Sequence, residues 1–178
     1  MTPTPEQVDA IRAGVRQREA IRDPSRVRGV NRIEIEVRGS LAYEARNVSE
    51  PIGVMRIDEP EDRGGNGTGA TPLSHFFAGV GACLLNQFIR VSLTEDYPIK
   101  FDRALVRGEF GRNVGGRIER ITTEVQAHGT LPSDGVDRLI ERAEGLCYVH
   151  NTLSAATNMT TVLYLDGVEA GRHESASP

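Results

Sequence analysis

The chain has 178 residues, 38% of them apolar and 26% charged, which is enough for one domain with its own core and excludes a disordered polymer. Its formal charge of -4, with Lys100 as the single lysine and no basic run, excludes general nucleic-acid binding. No apolar run approaches a membrane span, and residues 1–6 lack a signal-peptide layout, so the cytoplasm is the expected compartment, with no membrane partner.

Thr4-Pro5-Glu6-Gln7 reads as a helix start, with Thr4 as cap, Pro5 at the first position and Gln7 reaching back. Val8, Ile11 and Val15 then give a narrow apolar stripe to about residue 20, and Asp23-Pro24-Ser25 ends it. Residues 1–27 thus form a helical extension ahead of the main domain. Three short extended runs follow, near residues 33–37, 41–45 and 52–57, and predict an antiparallel meander. Residues 59–71 form a polar, Gly-rich loop without phosphate-loop spacing; it is either a plain connection or a loop that carries Arg63 to a pocket.

Pro72 opens the longest predicted helix, which runs to about residue 95 and stops at Tyr97-Pro98. From Phe76 to Leu85 it is apolar on nearly every side, so burial all round is expected. Gly79 and Gly81, each costing about 1 kcal/mol in a helix relative to Ala, suggest close approach of a second helix. Two strands follow at residues 101–110 and 117–127, with a hairpin at 111–116. Ser133 is the predicted cap of a second helix, where Val136, Leu139, Ile140, Ala143 and Cys147 share one face. A short helical turn near Asn151, a last strand at 160–165 and a loose tail from about 169 to 178 complete the chain. The order predicts an α+β fold in which two central helices pack against sheets. With about six strands per chain, a homodimer sharing the covering is expected.

The two cysteines, Cys83 and Cys147, both lie in apolar helical surroundings. By themselves they read either as two core thiols or as a redox pair that only the fold can bring together. In the cytoplasm a disulfide is more often catalytic than structural. His75 and His150 with Cys83 are a third possibility, a metal site, but the four histidines are scattered and no Cys-x-x-Cys is present.

Within a main domain at 28–168, three stretches together resemble the OsmC/Ohr family of thiol-dependent peroxidases, a likeness that spans roughly residues 28–166: the Gly-rich loop leading to Thr71-Pro72, the segment Gly81-Ala82-Cys83-Leu84, and Cys147-Tyr148-Val149-His150-Asn151-Thr152-Leu153. The resemblance implies an intertwined homodimer that reduces small organic hydroperoxides, with Cys83 attacking and Cys147 resolving. It implies a dithiol reductant, either a small molecule or a lipoyl- or thioredoxin-like protein, and no metal or organic cofactor. It also implies an activating arginine: Arg63 from the loop, or Arg46 from the first strands with Arg38 behind it. The family's glutamate follows the proline that opens the helix; here that position is Leu73, followed by Ser74, with Glu61 or Asp62 as possible replacements. The departure predicts a slower or altered site in a more apolar pocket.

The chemistry sets the requirement on the arginine. The reactive form is the thiolate, and lowering a thiol from about 8.5 to about 6 needs roughly 3.4 kcal/mol of preference for the anion. A guanidinium at about 4 Å supplies on the order of 4 kcal/mol at an effective dielectric of about 20. One well-placed arginine is therefore sufficient. The competing expectation is a non-catalytic dimer that binds an apolar small molecule against Leu73, Phe76 and Phe77. A further one, acyl transfer on the cysteine, lacks a histidine partner in the sequence.

Overall fold

The computed structural model describes residues 4–20, 31–48, 53–111 and 116–176; the helix stop at 23–25 and the hairpin tip at 112–115 lie outside them. The fold is α+β. The chain divides into two compact units, one spanning Arg22–Ala78 and the other combining Met1–Ile21 with Gly79–Pro178.

In the smaller unit, β1 (Ile33–Val37), β2 (Tyr43–Asn47) and β3 (Met55–Ile57) form the antiparallel meander the alternation predicts. Ile35 lies opposite Ala45, which lies opposite Met55, so these share one apolar face. Glu34 and Glu36 lie opposite Arg46 and Glu44, and the other face is a ladder of charges.

The larger unit is built on a four-stranded sheet, in the order β4 (Ile99–Phe110), β5 (Ile118–Gly129), β6 (Asn158–Leu165) and β7 (Val168–Ser175). Within it β5 and β6 run parallel, as a crossover through helices requires. That crossover is α3 (Gly135–Leu146) and α4 (Tyr148–Leu153). The strand β7 replaces the expected loose tail. Its sequence, VEAGRHES, lacks apolar alternation because it is an edge strand, and Asp166 and Gly167, both at positive φ, make the tight turn into it.

The helix α1 (Pro5–Glu19) belongs to this unit and starts as predicted: Gln7 N–H donates to Thr4 Oγ1 at 3.3 Å and Thr4 N–H to Gln7 Oε1 at 2.8 Å. Val15 is buried, and Arg12 donates to the Leu93 carbonyl at 2.9 Å and pairs with Asp96. The core joins Leu84, Phe88 and Val91 of α2 (Pro72–Thr94) to Leu139, Ile140 and Ala143 of α3 and to Val125 and Leu163 of the sheet.

Three expectations need correction. First, α2 is not buried all round: Leu73 and Phe76 are exposed in its first turns, whereas Val80, Leu84, Phe88 and Val91 are buried. By length and composition this one helix could cross a membrane, contrary to the sequence reading, but here its inner face forms the core, with polar Gln87 and Ser92 buried as well. Second, the glycines do not meet a helix. A Cβ on Gly81 would sit 2.6 Å from Val106 Cγ2 of β4, and one on Gly79 would meet nothing within 4 Å. Third, Asp134 rather than Ser133 precedes α3, because Gly135 N–H donates to the Pro132 carbonyl and closes a turn there first.

The glycines make a paired prediction. Gly79→Ala should raise stability by up to about 1 kcal/mol through helix propensity alone, whereas Gly81→Ala should lose that gain to the clash with Val106. Urea unfolding of the two variants measures the difference; destabilisation by Gly79→Ala would show that another surface covers this face.

Candidate active site

The two cysteines are brought together. Cys83 stands mid-way along α2 and is partly exposed; Cys147 is completely buried, and both are free thiols. Cys147 S–H points at Cys83 Sγ across 3.3 Å. A disulfide bond is about 2.05 Å long, so joining the sulfurs needs a closure of only about 1 Å.

The local backbone explains the position of Cys147. It ends α3 in an extended conformation and starts α4, and its sulfur accepts the N–H of His150 at 3.4 Å. A sulfur thus fills the place of an N-cap oxygen. Burial, against the pull of that amide and with the Cys83 contact adding to it, pushes the Cys147 thiol up to about 12. Cys147 therefore keeps its proton at neutral pH. The pair is chemically unequal: one sulfur is reachable from solvent, while the other is buried and protonated.

The arginines lie in the smaller unit. Arg46 is held by Glu36 at 2.6 Å and by Glu34 at 3.7 Å, and its buried Nε has no hydrogen-bond partner. Arg38 is likewise shared between Glu36 and Glu44. Arg63 is mostly exposed and, among the described residues, pairs with Glu59 at 3.4 Å. Leu73 sits exposed in the first turn of α2, Ser74 Oγ bonds Thr71 Oγ1 at 2.8 Å, and His75 Nδ1 lies 3.1 Å from the Thr71 carbonyl. Among the described residues no group of three His, Cys, Asp or Glu is arranged to hold a metal.

Sequence reasoning passed over Asp58, which organises the Gly-rich loop. Its buried carboxylate accepts from Thr68 Oγ1 at 2.6 Å, Thr68 N–H at 3.0 Å and Asn66 N–H at 3.2 Å. The Thr68 hydroxyl first, then its amide, holds Asp58 below the usual carboxylate range. A Cβ on Gly65 would fall 1.9 Å from the Glu59 carbonyl, and one on Gly69 2.6 Å from that of Arg56, so only glycine lets the loop fold back on itself. Arg63 closes a 3-10 turn, Glu61–Arg63, within this frame.

A family model described as "OsmC-like protein" matches residues 64–162, more than half of the chain. The chain belongs to the OsmC-like family. Solved structures of similar fold share little sequence with it. An OsmC-like protein from Mycoplasma pneumoniae is 16% identical with a TM-score of 0.63, covering 78% of this chain and 99% of its own. The organic hydroperoxide resistance protein OsmC of Legionella pneumophila is 14% identical at 0.57 (79% and 98%), and OhrB of Bacillus subtilis 17% identical at 0.54 (78% and 98%). No curated protein matches the chain. The OsmC-like domain thus carries its two thiols side by side at an identity that transfers the fold alone.

Two predictions follow from these environments. Iodoacetamide at about pH 8 should label Cys83 at least about tenfold faster than Cys147, whose thiolate is disfavoured by burial; peptide mass spectrometry reads the two sites separately. The second concerns Asp58. Its depressed pKa adds stability that is present above the unfolded value of about 3.9 and is lost as pH falls through the lower native value. Asp58→Asn removes that contribution at neutral pH, so the variant should be cut faster by trypsin after Arg63.

Proposed function

We propose that this OsmC-like protein is a thiol-dependent peroxidase that reduces small organic hydroperoxides. The observation that carries the reading is the unequal thiol pair, 3.3 Å apart, with Cys83 accessible and Cys147 buried. The names of the Legionella and Bacillus structures, hydroperoxide resistance proteins, support the substrate class.

In the first step the Cys83 thiolate attacks the terminal oxygen of the hydroperoxide. The O–O bond breaks, the alkoxide leaves and takes a proton as the alcohol, and Cys83 becomes a sulfenic acid. Cys147 then displaces hydroxide from that sulfur, forming a Cys83–Cys147 disulfide and water. An external dithiol reopens the bond by exchange and is itself oxidised to a disulfide. These steps are complete without a metal or organic cofactor.

Arg63 is the preferred activating cation. Among the described residues one carboxylate pairs with it, whereas two pair with Arg46. Glu59 supplies the carboxylate contact that Leu73 cannot. A homodimer accounts for the apolar residues left uncovered in one chain, Ile35 and Val37 on β1 and Leu73 and Phe76 on α2. The cytoplasm is the fitting compartment, because its thiol pool keeps both cysteines reduced between turnovers. A second reading, favoured by the exposed Leu73 and Phe76, is binding of an apolar small molecule without turnover.

One equivalent of cumene hydroperoxide should convert the pure protein to the Cys83–Cys147 disulfide, detected by mass spectrometry. Two unchanged thiols would sink the peroxidase reading and leave the binding one. Arg63→Ala should lower kcat/KM by about 10²-fold or more, the scale for losing one charge-stabilising donor, with Arg46→Ala having a smaller effect.

A further inference from the structure

One end of the four-stranded sheet holds a histidine between two carboxylates, away from the thiol chemistry. His128, at the end of β5, has Nε2 2.7 Å from Asp102 Oδ2 and Nδ1 2.7 Å from Asp166 Oδ1. Both carboxylates come from irregular backbone. Phe101 pairs with Ala127 and Arg103 with Gln126, so Asp102 is the extra residue of a bulge in β4. Asp166 stands at φ 50° in the tight turn from β6 into β7. Its N–H donates to the Ala127 carbonyl at 2.9 Å, and its Oδ2 accepts from Gly129 N–H at 3.5 Å. The imidazole thus spans the β4 bulge, β5 and the β6–β7 turn. The side chains of His128, Asp102 and Asp166 are 59%, 40% and 62% exposed, so bulk solvent reaches all three.

Two short contacts on one ring set its charge state. A neutral imidazole has a single N–H and can donate to one carboxylate only; its other nitrogen turns a lone pair toward the second. Donation to both needs the imidazolium, and both bonds are then charge-assisted. We propose that His128 is a pH-operated latch: charged, it fastens the β6–β7 turn to the β4 bulge, and on losing its proton it lets one of them go. The Asp166 hydrogen bond first, then the charge of Asp102, raises the pKa of His128 above its ordinary value, against a weaker effect of desolvation. The contribution of the latch is therefore fully present below the unfolded value of about 6.5 and is lost as pH rises through the higher native value. Other charged groups at this end are Lys100, opposite His128 in the β4–β5 register, and Glu169 of β7, which Arg172 holds at 3.0 Å through both oxygens. The far part of β7 has a fastening of its own, His173 to Glu144, so the latch governs the turn end alone.

Long-range proton–nitrogen NMR of the isotope-labelled full chain reads the protonation of each histidine ring, and the signals missing from His128→Gln assign His128. In wild type both ring nitrogens of His128 should carry protons at about pH 6.5 and titrate above it. Asp102→Asn and Asp166→Asn should each lower that pKa; Asn keeps the shape of Asp and tolerates the positive φ at 166. Hydrogen exchange at the Asp166 amide, expressed as a protection factor, reads the release itself. Protection should fall about threefold between about pH 6 and 8.5 in wild type, the scale of an exposed ion pair, and stay level in His128→Gln. A His128 pKa at or below about 6.5 in wild type, or protection as level there as in His128→Gln, would overturn the latch. If Asp166→Asn unsettles the turn, Asp102→Asn, on the other side of the ring, decides by the same two readings.

Discussion

The apolar core that α2 and α3 share with the four-stranded sheet is the constraint on which the larger unit depends. Leu84, Phe88 and Val91 of α2, Leu139, Ile140 and Ala143 of α3, and Val125 and Leu163 of the sheet form one cluster, all nearly or fully buried. Each large side chain in such a core is worth roughly 1.5–3 kcal/mol of burial. The same packing sets the register between one helix mid-point and the other helix's end. The two sulfurs lie 3.3 Å apart at this core, with Cys147 inside it and Cys83 packed against it. Gly81 faces the sheet: without a Cβ it admits Val106 of β4 against α2 two residues before Cys83.

Cys147 adds the local half of the arrangement. A residue that ends one helix and caps the next is fixed at both its backbone and its sulfur. Full burial makes its thiol hard to ionise, which suits a resolving rather than an attacking role. In the proposed cycle, burial is what distinguishes two residues identical in composition.

Much of the fold was legible where the pattern was local. The reciprocal Thr4–Gln7 cap, the period-two strand at 33–37 and the apolar face of α3 that ends in Cys147 all follow from spacing. The exposed face of α2 was not legible, because apolar residues all round a helix do not say which neighbours lie within one chain. Nor was β7, a polar edge strand whose pairing depends on a two-residue turn rather than on its own alternation. At the site, the cysteine pair could be anticipated, but the carboxylates could not. Glu59 reaches Arg63 only because the loop folds around Asp58, and Glu144 meets His150 only because the helix breaks between them at Cys147. Such pairings arise from bends, which carry no period.

The separation of the cysteines along the chain has a consequence of its own. A covalent link between residues 64 apart ties off a large loop of the unfolded chain. Chain-entropy reasoning assigns such a closure about 4 kcal/mol of relative stability. In the proposed cycle the disulfide form is therefore the more rugged one, and the reductant works against the conformational entropy that the closed loop withholds.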